Sequence, residues 1–254
     1  MRSKKILRVL LVAIGALLLL AIVLGVLNAL VGDGEWSFGW TAYRYDDTGF
    51  EVGGSTVYTE TLQNIDIDWV DGRVSVIACD DFCPSLTESS DTELTEDSRV
   101  RWLLSEDGKT LTVKYRKSSS FLGSEQNKQK DLVLRVPKRL FDQLRSLRIN
   151  VRSSVVTVDE IPFSKAEITS TTGDVSVMLH ESLLHASVES KKGDVYLFAR
   201  ENPSLSLSYE SKKGISPIFD FNFEKRDGRF LLGEGKTDVR VVSARGGLSV
   251  RKIK

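Results

Sequence analysis

The sequence predicts an all-β chain, a right-handed β-solenoid or β-helix-like repeat domain preceded by one transmembrane α-helix. Three observations predict it: an uncharged apolar run near the amino end, apolar residues alternating with polar ones, and a strand-glycine-strand phrase that returns about every 20 residues. A short closed β-sandwich built with similar turns is the alternative architecture.

The 254-residue chain carries 35 basic and 35 acidic residues. Its length accommodates one domain of moderate size and a membrane segment. Arg2, Lys4, Lys5 and Arg8 lie in the tail 1–8, so the remainder is mildly acidic. Nucleic-acid binding would call for a basic excess there, and none exists. From Val9 to Gly32 no side chain is charged, and Leu, Val, Ile and Ala dominate. About 20 such residues cross a bilayer as a helix, here 9–31. The basic tail before it orients the amino end toward the cytoplasm and everything after it outside, so the expected location is the cell membrane. A cleaved signal peptide is the competing reading, although the run exceeds a usual h-region and no A-x-A site follows it.

Segment 32–56 holds glycines together with Trp36, Phe38, Trp40, Tyr43 and Tyr45. It reads either as a juxtamembrane linker with interfacial aromatics or as the first edge of the β-domain. The domain proper is expected over 57–254. Ile65, Ile67 and Trp69 alternate with Asp66 and Asp68, and Asp71-Gly72 turns the chain into Arg73 to Ile77. Thr110 to Tyr115 and Asp131 to Val136 repeat the alternation, while Ser118 to Lys130 reads as a mobile polar loop.

The second half is the most regular. Ser170-Thr-Thr-Gly173-Asp-Val175 is followed by Ser190-Lys-Lys-Gly193-Asp-Val195 and by Ser211-Lys-Lys-Gly214-Ile215, with Ser154 in the glycine's place one repeat earlier. A degenerate copy, Ser243-Ala-Arg-Gly-Gly247-Leu-Ser-Val250, ends the chain. One such unit cannot bury its own apolar face, so the copies are expected to stack. Gly173, Gly193 and Gly214 are expected to supply positive φ at the corners.

These motifs, taken in order from Ile65 through Leu132-Val-Leu-Arg-Val-Pro137 to the repeated S-x-x-G-D-V, resemble the bacterial putative-adhesin family of unknown function. The resemblance implies an extracytoplasmic β-repeat domain, with an association to envelope stress systems in some members, and brings no catalytic residues.

Candidate chemistry is sparse. Cys79 and Cys83 form a C-x3-C pair in a compartment that preserves disulfides, so they read as a bridge, with two free thiols as the alternative. His180 and His185 are five residues apart instead of four, which rules out a zincin-type H-E-x-x-H site. Asp66, Asp68 and Asp71 lack EF-hand spacing. No cofactor is expected. Lys191-Lys192 and Lys212-Lys213 occupy equal places in neighbouring copies, so stacking would bring them about 4.8 Å apart as an anion-contact ladder. The competing reading has Glu189 and Glu210 neutralise them. The expected partners are the bilayer, through the helix, and cell-wall polymer or envelope proteins. The functional expectation is a non-enzymatic adhesin-like, scaffold or sensing module. An envelope polysaccharide-processing enzyme and an accessory subunit of a membrane sensor or transporter are the rivals.

Overall fold

The computed structural model describes residues 43–119, 128–200 and 203–253. The expected membrane helix at 9–31 lies outside the described residues, as does the first part of segment 32–56. The chain divides into two compact units, and every described residue except Tyr43 belongs to the one formed by Arg44–Ser119 and Asn127–Lys254. Among the described residues no helix is long and apolar enough to cross a membrane. The unit is all-β.

In the amino-terminal half the strands are β1 (Glu51–Val52), β2 (Asn64–Cys79), β3 (Ser85–Ser90), β4 (Arg101–Leu104), β5 (Thr110–Lys114) and β6 (Lys130–Pro137). The repeats follow as β7 (Ser146–Val158), β8 (Lys165–Thr172), β9 (Val175–Met178), β10 (His185–Lys192) and β11 (Val195–Ala199). The last third contains β12 (Leu205–Ser211), β13 (Ile218–Phe219), β14 (Glu224–Arg226), β15 (Arg229–Leu232), β16 (Thr237–Ser243) and β17 (Leu248–Lys252).

Each rung is a strand, a corner and a second strand. In β2 the buried set is Ile65, Ile67, Trp69 and its neighbour Val70 before the corner and Val74 and Val76 after it, so the alternation changes phase across the corner at Val70-Asp71-Gly72. Gly72 makes the change with φ +106°, a conformation that a Cβ resists. Both arms thereby turn their apolar sides to the same interior. Parallel register then aligns like with like: Ile67, Ile149, Ile168, Val188 and Val241 form one column, and Val76, Val158, Val177, Leu197 and Val250 another. All ten are buried. β-branched side chains dominate because they fit a pleated, enclosed surface. Ile161, Phe163, Leu179 and Leu183, from the connections between rungs, are also buried in the core.

Rung order departs from chain order. β2 joins β7, β7 joins β8 and β9, and these join β10 and β11. The next rung is not the third S-K-K-G copy but the chain's last segment, β16 and β17. β12 and β13 lie beyond it, parallel to β16 and β17. The expectation that copies stack in sequence therefore holds through Ala199 and fails after it. The reason is local. Ser243-Ala-Arg-Gly246 keeps the corner spacing, and Gly246 approaches Gly193 so closely that a Cβ would lie 1.9 Å from the Gly193 carbonyl oxygen. Gly214 instead sits in a turn, with nothing within 4 Å of where its Cβ would be. Its rung resumes only as the two-residue β13, which suits an end position.

On the other side of β2, β5 and β6 lie parallel to its two arms and form the first rung; antiparallel strands cover it, β4 on β5 and β3 on β6, with β1 on β4. Segment 32–56 is thus built into the β-domain from Arg44 onward instead of ending as a linker at 56: Gly53 N–H donates to the Val100 carbonyl at 2.8 Å and Tyr45 Oη to the Arg116 carbonyl at 2.7 Å. At the far end β15 and β14 extend the sheet beyond β12, and Phe219 packs against Phe223 and Phe230 at centroid distances of 4.4 and 5.0 Å. Such end covers keep a repeat stack from exposing its apolar interior.

Candidate functional site

The repeated S-x-x-G-D-V phrase is a corner device. Ser170, Ser190 and Ser243 point inward, are buried, and donate their Oγ hydrogens to the carbonyls of Gly173, Gly193 and Gly246 at 3.2, 3.0 and 2.7 Å. Each hydroxyl thereby satisfies a carbonyl at a bend. The aspartate works between rungs. Asp174 Oδ1 accepts the Asp194 N–H at 2.8 Å, and Asp194 Oδ1 accepts the Gly247 N–H at 2.7 Å. The third copy carries Ile215 in this place and has no such carboxylate.

The outer side of the same corner carries the lysines. Register places Ser190 opposite Ser243 and Ser243 opposite Ser211. Lys191-Lys192 and Lys212-Lys213 are therefore two strand spacings apart, about 9.6 Å, instead of one. The last segment brings Ala244 and Arg245 between them. Lys191, Lys212, Lys213 and Arg245 are exposed and Lys192 is half-buried. Glu189 and Glu210 do not face each other, because Val242 separates them. The degenerate last copy is visible in the sequence with Arg245 in it, but only the rung order places it between the two lysine copies.

One charged group escaped the sequence reading. Lys130, placed there in a polar loop, begins β6 with its side chain fully buried. Its Nζ lies 3.0 Å from Glu88 Oε2 and donates to the Ser98 carbonyl at 2.6 Å. The Trp69 and Tyr115 rings stand 5.0 and 4.5 Å from it. Burial pushes the ammonium down to about 8, partly offset by the Glu88 carboxylate. Glu88 also accepts the Val100 N–H at 2.9 Å, so one carboxylate ties β3 to β6 and to the start of β4. The lysine anchors the first rung's cover.

The remaining candidates do not converge. The structure holds Cys79 and Cys83 as free thiols. Their loop is held from outside, by Lys138 on Asp80 at 2.9 Å and by the Arg139 guanidinium 4.0 Å from the Phe82 ring centre. Burial raises the Cys79 thiol's pKa. His180 Nδ1 pairs with Ser182 Oγ at 2.9 Å, and His185 Nδ1 lies 3.9 Å from Asp238 Oδ2. Among the described residues no group of three His, Cys, Asp or Glu side chains is placed to hold a metal ion. A concavity of about 1290 Å³ runs along the connections, lined in part by Asp159, Glu160, His180, Glu181, Arg200 and Lys236. Arg200 clasps Glu160 there, with both Nε–oxygen distances at 2.8 Å.

The family model for the Toastrack domain DUF4097 matches residues 62–223, from the entry into β2 to the aromatic end cover. The chain belongs to the Toastrack DUF4097 family. The Toastrack match stops before β16 and β17, which the fold nevertheless inserts into the stack. No curated protein matches the chain. Among solved structures, a putative cell adhesion protein from Clostridium sporogenes is similar in fold, with a TM-score of 0.59 at 8% identity, over 80% of this chain and 100% of its own. A putative adhesin from Bacteroides fragilis is 12% identical over 80% of this chain and 97% of its own, with a TM-score of 0.34. The Toastrack assignment agrees with an adhesin-like domain of unknown function.

Proposed function

We propose that this Toastrack chain is a non-enzymatic, adhesin-like contact module, held outside the cell membrane by the apolar helix at 9–31. The observation that carries the reading is the unbroken parallel register from β2 to β12. It produces a stiff stack whose outer columns repeat every strand spacing, among them Asp66, Arg148, Glu167, Ser187 and Arg240. A surface of that kind engages extended partners by contact and needs no moving part. The Clostridium sporogenes neighbour, whose description is a cell adhesion protein, supports the same direction at the level of fold.

The test uses the full-length chain in intact cells. External protease is expected to digest the domain while leaving the basic tail protected, and the purified chain is expected to be retained on isolated cell envelopes. Digestion only after lysis would refute the placement, and passage through an envelope column without retention would refute the contact role. Hydrolysis of envelope polysaccharide by the wild type, lost in Glu160→Gln, would favour the rival enzyme. An oxidising compartment further favours closing Cys79 to Cys83. Alkylation of both thiols before any reductant is added would refute that bridge.

A further inference from the structure

We infer that the outer face of the second strand arm binds a linear, uncharged polysaccharide laid along the stack, with Tyr196 at its centre. The inference rests on the contact reading above and names the chemistry which that surface recognises.

Register creates the site. Ser75, Thr157, Ser176, Tyr196, Ser249 and Ile218 stand side by side on β2, β7, β9, β11, β17 and β13. Their strand neighbours Val76, Val158, Val177, Leu197 and Val250 are buried, so period-two alternation turns the row outward. In a chain with 28% charged residues, this row carries no charge over six strands, roughly 24 Å. The outward row on the first arm differs, since Asp66, Arg148, Glu167 and Arg240 stand in it.

The row offers hydroxyls that the protein itself does not use. Among the described residues, those of Ser75, Thr157, Ser176 and Ser249 form no hydrogen bond within the protein. Ser249 is only 8% exposed, and a polar side chain so enclosed calls for a partner from outside. Tyr196 Oη lies 3.4 Å from Asp194 Oδ2, two residues back on the same face. Phe198, two residues on, stands between Met178 and Arg251, and Arg251 is paired with Asp220 at 3.0 Å. Two aromatic rings, free hydroxyls and a carboxylate acceptor thus share one face.

Chemistry selects the class of partner. A pyranose ring presents C–H groups on its faces and hydroxyls around its rim. The Tyr196 and Phe198 rings suit the faces, and the serine and threonine hydroxyls suit the rim. A charged polymer would surrender hydration along the row without meeting a counter-ion in it, so the partner is uncharged. A second copy of this chain fits less well, because interfaces between identical subunits are richer in apolar area than a row made mainly of serine and threonine. Extension along the stack suits a polymer, whose successive sugars add avidity from individually weak contacts.

The experiment places the full-length chain in phosphatidylcholine nanodiscs and measures binding of cellohexaose and chitohexaose, both uncharged, and of hexagalacturonate, which is anionic. Wild type is expected to bind a neutral hexasaccharide more tightly than hexagalacturonate, with little change on adding salt, since salt screens only charges. Tyr196→Ala is expected to weaken that binding about tenfold or more, while Tyr196→Phe keeps most of it because the ring remains. Thr169→Ala, on the outer face of the first arm, is expected to bind as wild type does, and circular dichroism checks that all three variants fold. Equal binding by wild type and Tyr196→Ala, or tighter binding of hexagalacturonate, would overturn the assignment. A dimer that Tyr196→Ala dissolves, with neither neutral sugar bound, would give the face to a second copy and overturn it too. Retention on whole envelopes without affinity for either neutral hexasaccharide would sink the polysaccharide site and leave the contact role standing. Loss of both would sink both.

Discussion

Gly193 rests directly on Gly173: a Cβ on Gly193 would lie 2.2 Å from the Gly173 carbonyl oxygen. The obstacle is backbone in the neighbouring rung, so no side-chain rotation relieves it, and φ of +144° adds strain for any other residue. Gly193→Ala is expected to destabilise the domain by about 3 kcal/mol or more. Gly214→Ala faces open space and only the cost of its φ of +69°, so about 1 kcal/mol is expected. Urea midpoints of the two variants, with the m-value held constant, check the difference.

The Asp194 carboxylate joins two rungs that are far apart in sequence. Asp194→Ala leaves the Gly247 N–H without its 2.7 Å acceptor. A loss of about 1 to 2 kcal/mol is expected. Hydrogen exchange should quicken at the Gly247 amide, and an unchanged rate there would refute the role.

Lys130 and Glu88 form an ion pair from which solvent is excluded, with side-chain exposures of 0% and 8%. Removing one partner strands the other, so Glu88→Gln is expected to cost about 3 to 5 kcal/mol. Lys130→Met with Glu88→Gln should recover much of that, since a buried pair is often replaceable by apolar volume. A double-mutant cycle on thermal or urea unfolding reads the coupling, and additive effects would argue against it.

Stability should depend on pH in a direction opposite to an ordinary lysine pair. The Lys130 ammonium titrates at about 8 in the fold and at about 10.4 in an unfolded chain. Between these values the unfolded state holds more protons, so stability rises as pH increases from about 8. Tyr45, raised to about 12 by burial, and Tyr115, raised further by burial, keep their protons after the unfolded chain has lost them. Above about pH 10 that makes stability fall. A maximum near pH 10 is expected in a series of urea midpoints, and Lys130→Met should flatten its rising limb.

Much of the β-architecture was legible because its causes are local. Alternation in Ile65-Asp66-Ile67-Asp68-Trp69 exposes one side and buries the other whatever the strand pairs with. Glycine at 173 and 193 marks corners because few other residues tolerate the backbone there. The basic corner was half legible: the lysine pairs and the degenerate last copy with Arg245 stand out, while the insertion of that copy between them does not. Lys130 was invisible for a different reason. A lysine among Asn127, Lys128 and Gln129 has the composition of a loop, and only the meeting of β3, β6, Trp69 and Tyr115 buries it.

The sequence by itself determined that this chain is a strand-corner-strand repeat, since period-two alternation and corner glycines act within a few residues. It also determined the roles inside each copy, because Ser190 reaches Gly193 within its own corner. Only the tertiary structure decided which copy neighbours which. That choice turns on backbone approach between rungs: Gly246 lies close against the Gly193 carbonyl, while Gly214 sits in an open turn. Contacts between segments more than 50 residues apart have no periodic trace in the chain, so the rung order, and the placement of Arg245 between the two lysine copies, belong to the fold.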